Sequence, residues 1–109
     1  MEPKITEAKI LRQCISWLEQ QPGVFAWRTN VQGVPLKGGG YRKAPMRGTS
    51  DIICIYYGRA ITIEVKKPDG KISVFQKKFM ENVLEAEGYP VVVYSLDDLK
   101  SVFRELSGG

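Results

Sequence analysis

Asp51-Ile52-Ile53-Cys54-Ile55-Tyr56-Tyr57-Gly58-Arg59-Ala60-Ile61-Thr62-Ile63-Glu64-Val65-Lys66 decides the reading of this chain. Residues 51–57 and 60–66 are rich in isoleucine, tyrosine and valine, and only Gly58-Arg59 separates them. β-Branched and aromatic side chains suit a pleated surface, and a Gly-X pair between two strands predicts a two-residue type II′ hairpin. With Gly58-Arg59 as the turn, Tyr57 opposes Ala60, Ile53 opposes Glu64 and Asp51 opposes Lys66. Opposed residues share a face and successive side chains alternate. Asp51, Glu64 and Lys66 are therefore expected on one face, with Ile61, Ile63 and Val65 on the other. A three-residue turn would slip the register by one and send Asp51 to the opposite face. Two carboxylates and a lysine so gathered can hold a divalent cation beside an attacking water. The plainer alternative is that Glu64 and Lys66 are solvated charges on a frayed strand end and Asp51 a turn residue.

Outward from this hairpin, the spacing of Ala8, Leu11, Cys14, Ile15 and Leu18 predicts a helix over 6–20, ended by Pro22-Gly23. Residues 24–29 read as a strand. The segment 30–50 is rich in glycine, lysine and arginine and too long for a simple connection. Its run Lys37-Gly38-Gly39-Gly40-Tyr41-Arg42-Lys43 is either a nucleic-acid-facing loop or a solvated connector. Pro68-Asp69-Gly70 makes a turn, and Ser73-Val74-Phe75-Gln76 has capping-box form, opening a helix with Phe75, Phe79 and Val83 on one face. Gly88 stops it. Residues 89–94 read as a strand, and Ser95 caps a last helix whose stripe is Leu99, Val102, Phe103 and Leu106. The order is helix, three strands, helix, strand, helix. Because a strand-helix-strand crossover makes its two strands parallel, the fold class is α/β: one domain over 1–109, with a mixed sheet flanked by helices.

The chain has 109 residues, 43% of them apolar, enough to bury a core. It lacks both a long apolar run and a signal-peptide layout, so the expectation is a soluble, intracellular protein. Cys14 and Cys54 fall within apolar patterns and read as buried free thiols. The net charge is +4 and the pI near 9.1, with positive residues clustered at 37–47 and 66–78, which favours a polyanionic partner. There is no histidine. That excludes Ser-His-Asp and Cys-His chemistry, and it makes any metal an oxygen-held one, magnesium or manganese rather than zinc. Glu7 lies one turn before Leu11 and Cys14, along the apolar face of its helix. It either favours the positive helix N-terminus or faces the cation or the water. Gln76 is explained by its capping box, with a role in the site open as well.

Asp51 followed by Glu64-Val65-Lys66, within this order of elements, resembles the PD-(D/E)xK nuclease superfamily. Arg47-Gly48-Thr49-Ser50-Asp51, then Ile63-Glu64-Val65-Lys66-Lys67-Pro68-Asp69-Gly70-Lys71, then Phe75-Gln76 resembles more closely its VRR-NUC branch, the virus-type replication and repair nucleases. Ser50 stands where many members carry proline. The resemblance implies a restriction-endonuclease-like αβββαβα core. It implies that Asp51, Glu64 and the Val65 carbonyl bind Mg2+, with Mn2+ able to substitute, and that Lys66 orients or deprotonates the water. Glu7 matches the acidic residue of the first helix and Gln76 the glutamine of the second. Arg42, Lys43, Arg47, Lys67, Lys71, Lys77 and Lys78 are candidates for phosphate contacts, which set affinity more than sequence choice. It further implies a homodimer cutting branched DNA such as four-way (Holliday) junctions, in DNA repair, in a cytoplasmic phage or bacterial setting, with no membrane partner. A noncatalytic DNA-binding or assembly module, or a nuclease for other DNA or RNA substrates, is the alternative.

Overall fold

The structure, a computed structural model, describes residues 5–29, 34–35, 41–42 and 47–108. Among these, α1 (Glu7–Glu19) leads into β1 (Val24–Arg28), then a two-stranded ribbon of β2 (Val34–Pro35) and β3 (Tyr41–Arg42). There follow β4 (Ile52–Tyr56), β5 (Arg59–Val65), α2 (Val74–Glu85), β6 (Tyr89–Val93) and α3 (Leu96–Leu106). The main sheet has the order β1-β4-β5-β6. Its first two pairings are antiparallel and the β5–β6 pairing is parallel, as the crossover through α2 requires. This is the expected α/β fold, a mixed sheet flanked by helices. The ribbon within 30–50 is an addition that the sequence pattern did not announce.

The turn between β4 and β5 departs from expectation. Tyr56 pairs with Arg59, Cys54 with Ile61 and Ile52 with Ile63. The turn residues are therefore Tyr57 and Gly58, not Gly58 and Arg59. Both have positive φ, 47° and 84°, the pattern of a type I′ turn rather than type II′. A bulky residue rarely accepts that conformation. Tyr57 is held there because its N–H donates to the Gly23 carbonyl at 2.9 Å and its ring covers Gly23, where a Cβ would fall within 2.3 Å of it. The expected pairs Tyr57–Ala60, Ile53–Glu64 and Asp51–Lys66 are thus corrected by two positions. An even shift preserves the faces. Continuing the observed register one step sets Asp51 opposite Glu64.

One face of the sheet is the core. Ile52, Cys54, Ile61, Ile63, Val65 and Val93 are buried there against Ile10, Cys14 and Leu18 of α1 and Leu99 and Phe103 of α3. Removing each Ile or Leu side chain from water contributes about 1.5–3 kcal/mol. Ile10, not the exposed Ala8, completes the α1 stripe at four-residue spacing. Thr6 caps this helix by accepting from the Lys9 N–H at 3.1 Å. Both cysteines are free and buried, and burial pushes each thiol up to about 11.

The second face is only partly covered. Helix α2 packs mainly on β6 and has no fully buried residue, so Phe79 and Val83 are half-buried and Phe75 is exposed. Its start is tied by the expected capping box: Ser73 Oγ accepts from Gln76 N at 3.1 Å, and Gln76 Oε1 accepts from Ser73 N at 2.8 Å. Its end is a Schellman arrangement, with Gly88 N–H on the Val83 carbonyl and Glu87 N–H on the Leu84 carbonyl. The left-handed residue is Glu87, φ 67°, rather than Gly88, which instead packs closely on Val83. Left-handed backbone costs a side-chain-bearing residue roughly 1–2 kcal/mol. Glu87→Gly is expected to raise stability by about 0.5–1 kcal/mol after the loss to unfolded-chain entropy, read as a higher melting temperature.

Candidate metal centre and nucleic-acid interface

Asp51 and Glu64 meet where the antiparallel ladder ends. Thr29 holds the approach, its N–H donating to the Asp51 carbonyl at 3.0 Å and its hydroxyl to the Ser50 carbonyl at 2.6 Å. Asp51 Oδ2 then accepts from the Val65 N–H at 2.7 Å, which fixes one carboxyl against the end of β5. Glu64, on the same face, is 2% exposed, and its Oε1 has no hydrogen-bond partner. Burial first, then the hydrogen bond and charge of Asp51, push the Glu64 carboxyl up to about 9, and Glu7 adds to the effect while Lys66 opposes it. A buried acid beside a second carboxylate, with an oxygen unsatisfied, is costly unless a cation or a proton compensates it.

Glu7 and Lys66 close on this pair from α1 and from the end of β5. A Cβ at Gly70 would lie 3.3 Å from both Glu7 Oε2 and Lys66 Cβ, so the turn after β5 brings the two together. Glu7 is half-buried in the first turn of α1, where it favours the positive helix N-terminus, and its charge also reaches Glu64, so its two expected positions are compatible. It also lines a cleft of about 780 Å³ with Ile5, Thr6, Lys67, Pro68 and Asp69. Asp51 and Glu64 are thus in contact, with Glu7 and Lys66 at the border of the pair. Val65 buries its side chain in the core and presents only backbone to the site. The described contacts of Gln76 tie it to Ser73, which makes the capping reading the observed one.

The basic residues divide. Arg47 lays its guanidinium 3.9 Å over the Phe75 ring, and Gly48, φ 77°, brings its backbone against α2, where a Cβ would fall 2.2 Å from the Phe75 carbonyl. This joint, which sequence reasoning missed, places a fixed cation four residues before Asp51. The sequence carried no signal for it, since Phe75 read as part of the apolar face of its helix, and only its exposure in the structure leaves the ring free for Arg47. Lys67 pairs with Asp69 at 3.8 Å, both well exposed, a contact of little energetic weight. Lys71, Lys77 and Lys78 are exposed. Lys43, the run 36–40 and the side chain of Arg42 lie outside the described residues.

A set of oxygens suits magnesium or manganese, and the unpartnered Glu64 Oε1 offers such an ion a ligand. Among the described residues no group of three or more His, Cys, Asp and Glu side chains forms a full cage. Magnesium commonly takes one or two carboxylates and completes its shell with water and phosphate oxygens, so the pair fits it.

A solved structure described as a "VRR_NUC domain protein" superposes on this chain with a TM-score of 0.65, covering 94% of this chain and 88% of its own, at 18% identity. The chain has a VRR-NUC-like fold. Comparison with protein-family models and with curated proteins gives no match. No helix among the described residues is long and apolar enough to cross a membrane. Within the VRR-NUC-like fold the carboxylate pair sits at the end of the central β4–β5 hairpin.

The raised Glu64 has a measurable consequence. Between its ordinary value of 4.5 and about 9, folded metal-free protein holds a proton that the unfolded chain has released. The stability this group contributes is complete below 4.5 and is lost as pH rises to about 9. Glu64→Gln is neutral throughout. In chelator its melting temperature is expected to exceed that of the unsubstituted protein by a margin that widens between pH 5 and pH 8.5, by roughly 5 °C or more. An equal margin at both pH values contradicts a buried neutral Glu64.

Proposed function

We propose that this chain is a Mg2+-dependent endonuclease that hydrolyses phosphodiester bonds in DNA. The observation that carries the reading is the buried Glu64 carboxyl, one oxygen unpartnered, beside an Asp51 anchored to the Val65 N–H. Asp51 and Glu64, with the Val65 carbonyl, would hold the cation, and Mn2+ suits the same oxygens. Such an ion lowers the pKa of water and neutralises charge developing on the phosphoryl oxygens. Lys66 orients the attacking water and offsets negative charge in the transition state, and Glu7 faces the same space across Gly70. Arg47, steadied on Phe75, holds a phosphate of the bound strand, and Lys67, Lys71, Lys77 and Lys78 add sequence-independent attraction. Glu64 must give up its proton to bind the cation, so metal binding releases protons and weakens as pH falls.

The finer reading is a structure-selective enzyme for branched DNA such as four-way junctions, acting in DNA repair as a homodimer so that two sites meet two strands. Its support is the likeness in fold and motif. A noncatalytic DNA-binding or assembly module on the same fold is the second reading, and the paired Asp51 and Glu64 argue against it.

Cleavage of four-way junctions, flaps, linear duplex and RNA is to be measured with magnesium, manganese or chelator. Cleavage is expected with either metal and none with chelator. Asp51→Ala and Glu64→Ala are each expected to lower the rate more than about 100-fold, and Lys66→Ala comparably. Full activity in either carboxylate variant overturns the assignment. Calorimetry in buffers of different ionisation enthalpy reads the protons released on Mg2+ binding, and no saturable binding favours the noncatalytic module.

A further inference from the structure

The pairings order the open face of the sheet into rows. Phe25, Ile55 and Ala60 form one row, and Trp27, Ile53 and Thr62 the next. One further step in the same register is Asp51 with Glu64, and beyond it on β5 comes Lys66. The carboxylates therefore lie between an aromatic side and a cationic side. Phe25 is 66% exposed and Trp27 40%, and their rings pack together at 5.2 Å, tilted by 42°. Thr62 lies in the Trp27 row, one row before Glu64 on β5, buried, with its hydroxyl unpartnered. The outward positions of β1 and β4 in these rows carry no charge.

We propose that Phe25 and Trp27 form a stacking platform for nucleobases freed where base pairing is interrupted, in the strand whose phosphate lies at Asp51 and Glu64. The proposal rests on the nuclease reading and names the feature of the substrate that the site selects. Adjacent rows on one face are about 7 Å apart, so a base on Trp27 belongs to a nucleotide close to the phosphate at the carboxylates. Uncharged rings suit bases, and the cationic side suits phosphates. Aromatic stacking accepts any base, because every base offers a π-face. A protein partner seated on Trp27 would instead crowd the row through which a strand must reach the carboxylates.

The test compares a perfect duplex with the same duplex carrying a bulge of unpaired 2-aminopurine. In chelator, the bulged DNA is expected to bind about tenfold more tightly, with its fluorescence quenched. Replacing both Phe25 and Trp27 by leucine is expected to abolish the preference and the quenching while leaving duplex binding unchanged. Trp27→Phe keeps most of both. Circular dichroism verifies folding of each variant, and sedimentation gives its oligomeric state. A double variant that keeps the preference overturns the proposal, as does one that converts a dimer to a monomer, since the face would then be covered by a second copy. Cleavage with Mg2+ by the unsubstituted protein separates the two levels. Cleavage without any preference for the bulge overturns the platform alone, whereas no cleavage of any DNA overturns the nuclease reading beneath it.

Discussion

A tyrosine held in left-handed backbone over Gly23 fixes the register of β4 against β5, and the candidate site depends on that register. Tyr57 is kept there by one hydrogen bond to Gly23 and by the close seat of its ring. From this turn the ladder runs through five pairs to Ile52 and Ile63, and the next step brings two carboxyl groups face to face. A slip of one residue would bury Asp51 in the core and turn Ile52 outward. The hydrophobic face and the shared face of the acidic pair are thus selected by the same parity, since Ile52, Cys54, Ile61 and Ile63 find the core only in registers that put Asp51 on the face of Glu64. The Tyr57 turn selects among those the one that opposes the two carboxyls.

The acidic pair runs against the rest of the folding energetics. Every other large buried side chain on the hairpin is apolar, while Glu64 is buried with one oxygen unsatisfied and a neighbour that discourages its ionisation. Such a group lowers the stability of the metal-free fold at neutral and alkaline pH. The same features favour a cation, because neither carboxyl is solvated enough to ignore one. Local cost is common where chemistry is prepared in advance. Here it is offset by the layer of α1 and α3 on the other side of the sheet.

Coverage of the sheet is unequal, and this asymmetry shapes what can approach it. Helices α1 and α3 cover one face with the buried stripe Ile10, Cys14, Leu18, Leu99 and Phe103. Helix α2 leans on β6 and leaves the β1–β4 side of the second face open, with the aromatic rows beside the carboxylates. The start of α2 nonetheless matters to the site. The capping box steadies Phe75, Phe75 carries Arg47, and Gly48 permits the close approach that leads the chain into Asp51.

Local rules were enough for the elements themselves. Period-two alternation, helical spacing, the Ser73–Gln76 box and the Ser95 cap each depend on neighbours a few residues away, and the helices and main strands stand close to where these signals put them. The shared face of Asp51, Glu64 and Lys66 was legible for the same reason, because parity survives an even shift. The position of the turn was not, since the ring of Tyr57 overrides its own backbone preference only once Gly23, thirty-four residues earlier, lies beneath it. Nor were the stop at Glu87, the stacking of Arg47 on Phe75, or the approach of Glu7 to Lys66 across Gly70. Residue order alone sets which side chains alternate to which face and which kinds of ligand are available. Which of them meet follows from the folded packing, because desolvation and close contact act between segments that the chain order keeps apart.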